Sequence, residues 1–439
     1  MTVHEQYRIT GGTRREITAA VETGVESGVL AAGTALPSVR ALAADLGVSP
    51  ATVAAAYRDL RGRRVVTSRP RSGVQVAHRP PLAAPLVPSV PAGVIDLAQG
   101  NPDPALLPPL PAVAPPDRPR LYGEAQDLPA LLDAVGDDLE ADGVRTGHMV
   151  VTSGALDGID RVLDVHLRHG DRVAVEDPCW TGTRDLLRLR GLQAVAVAVD
   201  DRGMRPDALE AALRAGVTAV LLTPRAHNPA GAALDADRAA ALRDVLAGVP
   251  DAVLIEDDHS GAVSGAAYHT LMAGRARWAV VRSMAKALGP DLRVAVMAGD
   301  RHTVARVAGR LRLGPGWVST ILQRLAATML TDPDAAAQLA GAAQTYTRRR
   351  TALLDALRDV GVEATGRSGF NVWVPVPQEA PLVTGMERAG WAVRAGEPFR
   401  LDADPALRIT TASLDPGDAP RVAADLAALL HGPGRTRLG

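Results

Sequence analysis

Residues 278–293 have the sequence Trp-Ala-Val-Val-Arg-Ser-Met-Ala-Lys-Ala-Leu-Gly-Pro-Asp-Leu-Arg, and Lys286 within them is the only lysine of the 439-residue chain. The apolar run at 278–281 predicts a buried β-strand, which places Lys286 on the loop that follows it. An amine in such a position can form an imine with an aldehyde when its surroundings keep it deprotonated. A lone lysine is more often a solvated surface residue. That interpretation weakens here because a chain that otherwise uses arginine has lysine at this apolar-flanked position.

Short apolar runs alternate with helical patterns from about residue 121 onward. They lie at Val150-Val151, 172–175, 194–197, 219–222, 253–255 and 278–281. Strands that alternate with helices predict βαβ units and an α/β fold with a mainly parallel central sheet. We expect a large part at about 121–320 and a smaller C-terminal α+β part at about 340–435, both within one domain of residues 94–435.

The N-terminal segment has a different pattern. It predicts a helix over 13–30, a second helix capped by Ser38 and ending near Leu46, and a third from Pro50 to about Arg61. Two short β-strands, 65–67 and 74–76, flank a basic turn at 69–73 and predict a hairpin. A helix-turn-helix followed by a hairpin predicts a winged helix-turn-helix domain over 1–79. The Pro- and Ala-rich residues 80–93 predict a semi-extended linker.

Charge is divided unevenly along the chain. Residues 1–79 hold eleven arginines and six acidic residues, a balance of +5, while the whole chain has a net charge of −1. A basic head on an acidic body predicts an anionic partner for the head. The single cysteine, Cys179, excludes an internal disulfide. With no secretory segment and no apolar run near the ~18–20 residues that span a bilayer, we expect a cytoplasmic protein without membrane contact.

The head resembles the GntR-type winged helix across about residues 13–78. The matching segments are Leu36-Pro37-Ser38-Val39-Arg40, Leu46-Gly47-Val48-Ser49-Pro50, Thr52-Val53, Ala56-Tyr57 and Ser72-Gly73. The resemblance implies that the helix from Pro50 enters the major groove of double-stranded operator DNA. The implied DNA contacts are Arg40, Ser49, Thr52, Arg58, Arg69, Arg71 and Gly73. For each arginine a solvated face is the alternative.

The body resembles the fold-type I pyridoxal-phosphate enzymes, and with the head attached the whole chain resembles the MocR-type regulators. The matching segments are Val151–Leu156, Glu176–Trp180, Thr223–Gly231, Val253–His259 and Ser283–Arg293. The resemblance implies that pyridoxal 5'-phosphate forms an internal aldimine with Lys286. It implies a phosphate site of Ser153, Gly154, Ala155, Ser283 and Arg293, and ring contacts from Trp180 by stacking, Asn228 to the phenolic oxygen and Asp257 to the pyridine nitrogen. The alternatives are ordinary turns, a core tryptophan and helix caps, and a cap is the favoured interpretation of Asp258. No metal site is expected.

Three further residues follow from the same resemblance. His259 stands where the family usually has a tyrosine that bonds the phenolic oxygen, so either the imidazole substitutes or the oxygen relies on Asn228. Arg408 matches the arginine that clamps an amino-acid carboxylate. Tyr122 matches the element that reaches the partner subunit's cofactor, which implies a homodimer, with a domain-swapped arrangement as one alternative.

The resemblance implies a transcription regulator that senses pyridoxal phosphate, an amine or an amino acid. The run 100–108 and His259 look most similar to a subgroup associated with vitamin B6 salvage. A second hypothesis is an aminotransferase with a vestigial head, and residual activity is compatible with the first. A third is a DNA-binding protein with an empty, structural body.

Overall fold

The computed structural model describes residues 7–26, 29–31, 33–62, 65–69, 73–77, 90–112, 118 and 120–431. Contacts divide the chain into two units, Met1–Ser89 and Val90–Gly439. The predicted linker, 80–93, spans this division. None of the helices in the described ranges is long and apolar enough to cross a membrane.

The first unit contains three helices and a hairpin: α1 (Arg14–Glu26), α2 (Val39–Leu46), α3 (Pro50–Gly62), β1 (Val66–Arg69) and β2 (Gly73–Val76). The strands are antiparallel. Ser38 begins α2 because its hydroxyl accepts from the amide of Ala41, and Gly47, at φ 66°, ends that helix in the left-handed conformation. Tyr57 is buried and donates to the carbonyl of Pro37 at 2.9 Å, which ties α3 to the start of α2. The predicted winged helix-turn-helix is confirmed, although α1 ends earlier than predicted.

An eight-stranded sheet forms the centre of the second unit. Its strands are β4 (Met149–Thr152), β5 (Arg172–Asp177), β6 (Gln193–Asp200), β7 (Gly203–Met204), β8 (Ala219–Leu222), β9 (Val253–Asp258), β10 (Trp278–Ser283) and β11 (Ala295–Gly299). They lie in the order β4-β11-β10-β9-β8-β5-β6-β7. Strands β6, β5, β8, β9 and β10 are mutually parallel, whereas β11 runs antiparallel to both its neighbours and β7 antiparallel to β6. The predicted mainly parallel sheet is confirmed.

Helices cover both faces of this sheet. They are α4 (Pro129–Ala141), α5 (Ala155–His166), α6 (Thr181–Leu189), α7 (Pro206–Arg214), α8 (Ala236–Ala247), α9 (Arg301–Arg312) and α10 (Thr320–Thr331). One face of β8 packs Leu222 into the core that contains α4, α8 and α10, and the other packs Leu221 against α5 and α9. Because both faces are buried, the strands are apolar runs and not alternating patterns. The polar residues then concentrate at the carboxyl ends of the strands.

The C-terminal part is a smaller α+β structure. Its elements are α11 (Pro333–Asp359), β12 (Asn371–Pro375), α12 (Glu379–Arg388), β13 (Trp391–Ala392), β14 (Arg394–Ala395), β15 (Ala406–Thr410) and α13 (Ala419–His431). Strands β12, β15 and β14 form an antiparallel sheet. The early strand β3 (Ile95–Asp96) pairs in parallel with β13, so the first residues of this unit belong to its C-terminal part. That pairing was not predicted.

Candidate cofactor and effector site

Lys286 lies three residues beyond the end of β10 and is half-buried. Its Nζ donates to the carbonyl of Gly100 and lies 5.6 Å from the centre of the Phe370 ring. Burial, with a contribution from the charge of Arg408, lowers the pKa of the Lys286 amine to about 8. A lowered pKa leaves more of the amine neutral and nucleophilic near neutral pH, as imine formation requires.

The residues predicted to hold a phosphate meet at one corner of the sheet. Thr152, at the end of β4, pairs with Ala295, which pairs with Ser283 at the end of β10. This register brings Ser153 and Ser283 to the same edge. Gly154 has φ 87°, and a Cβ there would lie 2.9 Å from a guanidinium nitrogen of Arg293. Only glycine therefore fits both the backbone conformation and the approach of Arg293, while Ala155 begins α5.

Asp257 lies near the end of β9, opposite Val281 of β10 and hence two residues below Ser283. It is 8% exposed, and its Oδ1 has no hydrogen-bond partner among the described residues. Burial raises the pKa of this carboxyl to about 7, and the nearby charges of Asp258 and Glu176 act in the same direction. A buried acceptor without a donor is costly. A protonated pyridine nitrogen would supply that donor, so the residues present fit the implied cofactor.

Arg408 fixes the orientation of Asn228. One guanidinium nitrogen donates to Oδ1 of Asn228 at 3.1 Å, and another donates to the carbonyl of Ala98. Since arginine only donates, the oxygen of the amide must face Arg408 and the NH₂ group must point away from it. That NH₂ group is the donor that a phenolic oxygen needs. Arg408 is 5% exposed and lies over the Phe399 ring at 4.9 Å; burial lowers its pKa to about 10, so it stays charged.

Trp180 immediately precedes α6 and is 39% exposed. Its indole packs over Gly182, where a Cβ would lie 2.5 Å from the ring. The neighbouring Cys179 is buried and its pKa is raised to about 12 by burial, so this thiol is unreactive at neutral pH. An exposed aromatic ring beyond β5 is compatible with stacking, and the predicted role of Trp180 stays a prediction.

His259 bonds to the backbone of a neighbouring loop. Its Nε2 lies 2.9 Å from the carbonyl oxygen of Ala226, and its Nδ1 lies 3.3 Å from the hydroxyl of Ser260. Burial, helped by the charge of Lys286, lowers the pKa of this imidazole to about 4, so His259 is neutral at physiological pH. Because both ring nitrogens have partners, the geometry favours the alternative in which the phenolic oxygen relies on Asn228. The contact of His259 with the cofactor stays a prediction.

A buried ion-pair network beside the site was missed by the sequence analysis, which favoured a helix cap for Asp258. The carboxylate of Asp258 is fully buried and accepts from Arg225 at 2.9 Å and from Arg282 at 2.7 Å. Both arginines also bond to Asp142 of the loop that follows α4. One signal was available in the sequence: Arg282 interrupts an apolar strand, and a buried arginine requires a buried anion.

Most of the predicted DNA contacts lie on the first unit. The hydroxyl of Ser49 accepts from the amide of Thr52 at 3.1 Å, so both residues lie at the N-terminal end of α3. Arg40 and Arg58 are exposed. Arg69 ends β1 opposite Gly73, the first residue of β2. The remaining predicted contact, Arg71, lies outside the described residues.

The two units match two different protein families. Residues 13–76 match the model of the gntR family of bacterial regulatory proteins, and residues 94–426 match that of class I and II aminotransferases. The vitamin B6 salvage pathway transcriptional repressor PtsJ of Salmonella typhimurium is 40% identical over 96% of this chain and 100% of its own length. The HTH-type transcriptional regulator TauR of Rhodobacter capsulatus is 30% identical over 96% of this chain and 97% of its own.

The solved structures agree on the fold of the second unit. A kynurenine aminotransferase of Pyrococcus horikoshii, solved with PMP, superimposes with a TM-score of 0.69 and 22% identity, over 77% of this chain and 91% of the other. At that identity the similarity establishes a fold-type I architecture and nothing about substrate.

Proposed function

This chain belongs to the MocR-type GntR transcription regulators, and from this premise we propose that its second unit binds pyridoxal phosphate on Lys286 and thereby controls DNA binding by the first. The observation that carries the proposal is that Oδ1 of the buried Asp257 has no hydrogen-bond partner among the described residues. Asp257 lies near the carboxyl end of β9, and Lys286, whose pKa is lowered to about 8, follows the carboxyl end of the neighbouring parallel strand β10. Among the described residues, this buried oxygen has no hydrogen-bond donor, and the lysine amine has the lowered pKa that a nucleophile requires.

When bound, the cofactor supplies an aldehyde for covalent attachment, a phosphate and a pyridine nitrogen. Lys286 provides the amine, and Ser283 and Arg293 bind the phosphate with the start of α5. Asp257 holds a proton on the pyridine nitrogen. Asn228 donates its NH₂ to the phenolic oxygen, in the orientation that Arg408 imposes.

Arg408 also makes the site suitable for an effector that carries a carboxylate. Its forked guanidinium can hold a carboxylate through two parallel hydrogen bonds, and the partner such a ligand displaces is the carbonyl of Ala98. Gly100, two residues on, accepts from Lys286. A ligand that engages both cations therefore releases the segment 98–100. This segment follows β3 and is close in sequence to residue 90, where the second unit begins. We expect its release to be transmitted along the chain to the DNA-binding unit.

The effector class is pyridoxal phosphate itself, an amine or an amino acid, and the proposed target is vitamin B6 salvage. The support is the 40% identity to a repressor named for that pathway. We also propose a homodimer in which Tyr122 reaches the partner. Tyr122 is 93% exposed and its ring meets that of Trp317 edge-on at 5.6 Å, so most of the Tyr122 side chain is available to a partner surface.

The test is spectroscopic and then functional. Purified protein mixed with pyridoxal phosphate is expected to develop a visible absorption band that resists dialysis, and Lys286→Ala and Lys286→Arg are both expected to lack it. The arginine variant keeps the charge and controls for lost stability. A protein that stays colourless refutes the cofactor proposal.

Regulation is tested by the affinity for DNA upstream of its own gene and of vitamin B6 salvage genes, by fluorescence anisotropy with and without cofactor. A shift in affinity that Lys286→Arg abolishes supports the regulator. Unchanged affinity together with rapid, sustained transfer of amino groups between amino acids and keto acids favours the aminotransferase hypothesis instead.

A further inference from the structure

A turn of the C-terminal part, Ser368-Gly369, is hydrogen-bonded to the loop that carries Asn228. The hydroxyl of Ser368 accepts from the amide of Ala226 at 3.0 Å and donates to the carbonyl of Ser264 at 2.9 Å. The amide of Ser368 donates to the carbonyl of Gly231 at 2.7 Å. Ser368 is fully buried, so water cannot replace these bonds. Both ends of the loop 226–231 are therefore held by one residue.

Ala226 needs such support because its backbone is in an unfavourable conformation. Its φ is 53°, in the left-handed region where a residue with a Cβ is strained. Two side chains hold it there: Ser368 through the amide and His259 through the carbonyl. Gly369 permits the close approach, since a Cβ on it would lie 2.7 Å from that of Ala226.

Asn228 is two residues beyond Ala226, so the backbone of Ala226 sets where the amide of Asn228 lies. Arg408 fixes which way that amide is turned, but an arginine on β15 cannot by itself fix the position of the loop. We propose that Ser368 is a positioning residue that holds Ala226 in its left-handed conformation, and thereby holds Asn228 at the phenolic oxygen of the cofactor. The part of this inference that concerns the cofactor rests on the proposed function.

The first test uses the full-length protein without cofactor. Hydrogen exchange of the backbone amides within 226–231 is expected to become at least about tenfold faster in Ser368→Ala, because the buried amide of Ala226 loses the one acceptor it has among the described residues. Thr303→Val is the matched control. It also removes a fully buried hydroxyl with two hydrogen bonds, but at the start of α9, so it is expected to leave 226–231 unchanged.

Rescue distinguishes positioning from a general structural role. Glycine adopts a positive φ without strain, so Ala226→Gly placed in the Ser368→Ala background is expected to restore most of the protection at 228–231. A buried residue that only stabilises the fold would not be rescued by a change in the backbone preference of another residue. If Ser368→Ala does not fold, Ser368→Cys replaces the hydroxyl by a thiol, which is somewhat larger and a weaker hydrogen-bonding group, and is expected to give the same pattern at smaller amplitude.

The second test uses the protein loaded with pyridoxal phosphate. The pH midpoint of its visible band reports the protonation of the Lys286 nitrogen. A hydrogen bond from Asn228 to the phenolic oxygen makes that oxygen a weaker acceptor for the protonated nitrogen, and so favours loss of the proton. Ser368→Ala is therefore expected to raise the midpoint by about one pH unit, while Thr303→Val leaves it in place.

The outcomes separate the two proposals. Equal exchange at 226–231 in Ser368→Ala and Thr303→Val, acceleration spread evenly over the second unit, or failure of Ala226→Gly to rescue would each overturn the positioning role. A protein that never acquires the visible band refutes the proposed function, and the exchange experiment still decides whether Ser368 holds the loop.

Discussion

Asp257 and Asp258 are adjacent and both buried, yet replacing each by asparagine is expected to have opposite effects on the protein without cofactor. Burial raises the pKa of Asp257 from 3.8 to about 7. The folded state therefore keeps a proton that the unfolded chain loses near pH 4, and stability falls as pH rises from about 4 to 7. At about 1.36 kcal/mol per pH unit over this range, the free energy of unfolding falls by about 4 kcal/mol by pH 8. Asp257→Asn is expected to remove most of that loss.

The pKa of Asp258 is shifted in the opposite direction. Arg225 and Arg282 hold its pKa well below the usual range in spite of burial, so its stabilising effect is present above about pH 4 and is lost as pH falls below that. Asp258→Asn removes the fully buried carboxylate that both guanidinium groups contact and leaves them Asp142 and, for Arg282, Asp138, which costs at most about 3–5 kcal/mol at neutral pH. It is expected to destabilise the protein at pH 8, whereas Asp257→Asn stabilises it.

The measurement is urea unfolding followed by tryptophan fluorescence at pH 5 and pH 8, without cofactor. All five tryptophans lie in the second unit, so the signal reports the unit that contains both aspartates. The midpoint of wild type is expected to fall between pH 5 and pH 8 by more than that of Asp257→Asn, so the difference between the two proteins is expected to be larger at pH 8 than at pH 5. Equal pH dependence in both would refute the assignment of an uncompensated carboxyl to Asp257.

Three further predictions concern other parts of the chain. Gly154→Ala is expected to weaken pyridoxal phosphate binding at least about tenfold, because the added Cβ meets Arg293 at 2.9 Å and the backbone has φ 87°, as measured by titration of the visible band. Arg58→Ala is expected to weaken binding to specific and unrelated DNA alike and to reduce the salt slope by about one, as measured by anisotropy at several salt concentrations. Tyr57→Phe is expected to destabilise the first unit by about 1 kcal/mol through loss of the bond to Pro37, as measured by calorimetry.

The architecture was predictable where a local pattern determines it. Apolar runs buried on both faces marked the strands of the large sheet, and Ser38, Gly47 and Pro50 marked the limits of α2 and α3. The pairing of β3 with β13 was not predictable, because two-residue strands nearly three hundred positions apart leave no periodic signal.

The site was predictable only in part for a similar reason. Motifs place Lys286, Asn228 and Asp257 at strand ends, but the sequence does not say which of two adjacent acids is paired. The partners of Asp258 lie 33 and 24 residues away along the chain, at Arg225 and Arg282, and only the register of the sheet brings them together. Ser368 lies 142 residues from Ala226 and stands in an ordinary Ser-Gly turn.

The contrast between the two aspartates bears on how such a site could sense a ligand. The charge of Asp258 is compensated by the chain itself, so the network around it is complete without any ligand. Asp257 and Lys286 are not compensated in this way, and the second unit gives up stability for as long as they lack a partner. A cofactor that satisfies both binds the folded state and not the unfolded chain, and stabilises it by an amount that grows with its concentration. The same uncompensated groups that make the cofactor-free protein less stable therefore make binding of the cofactor favourable.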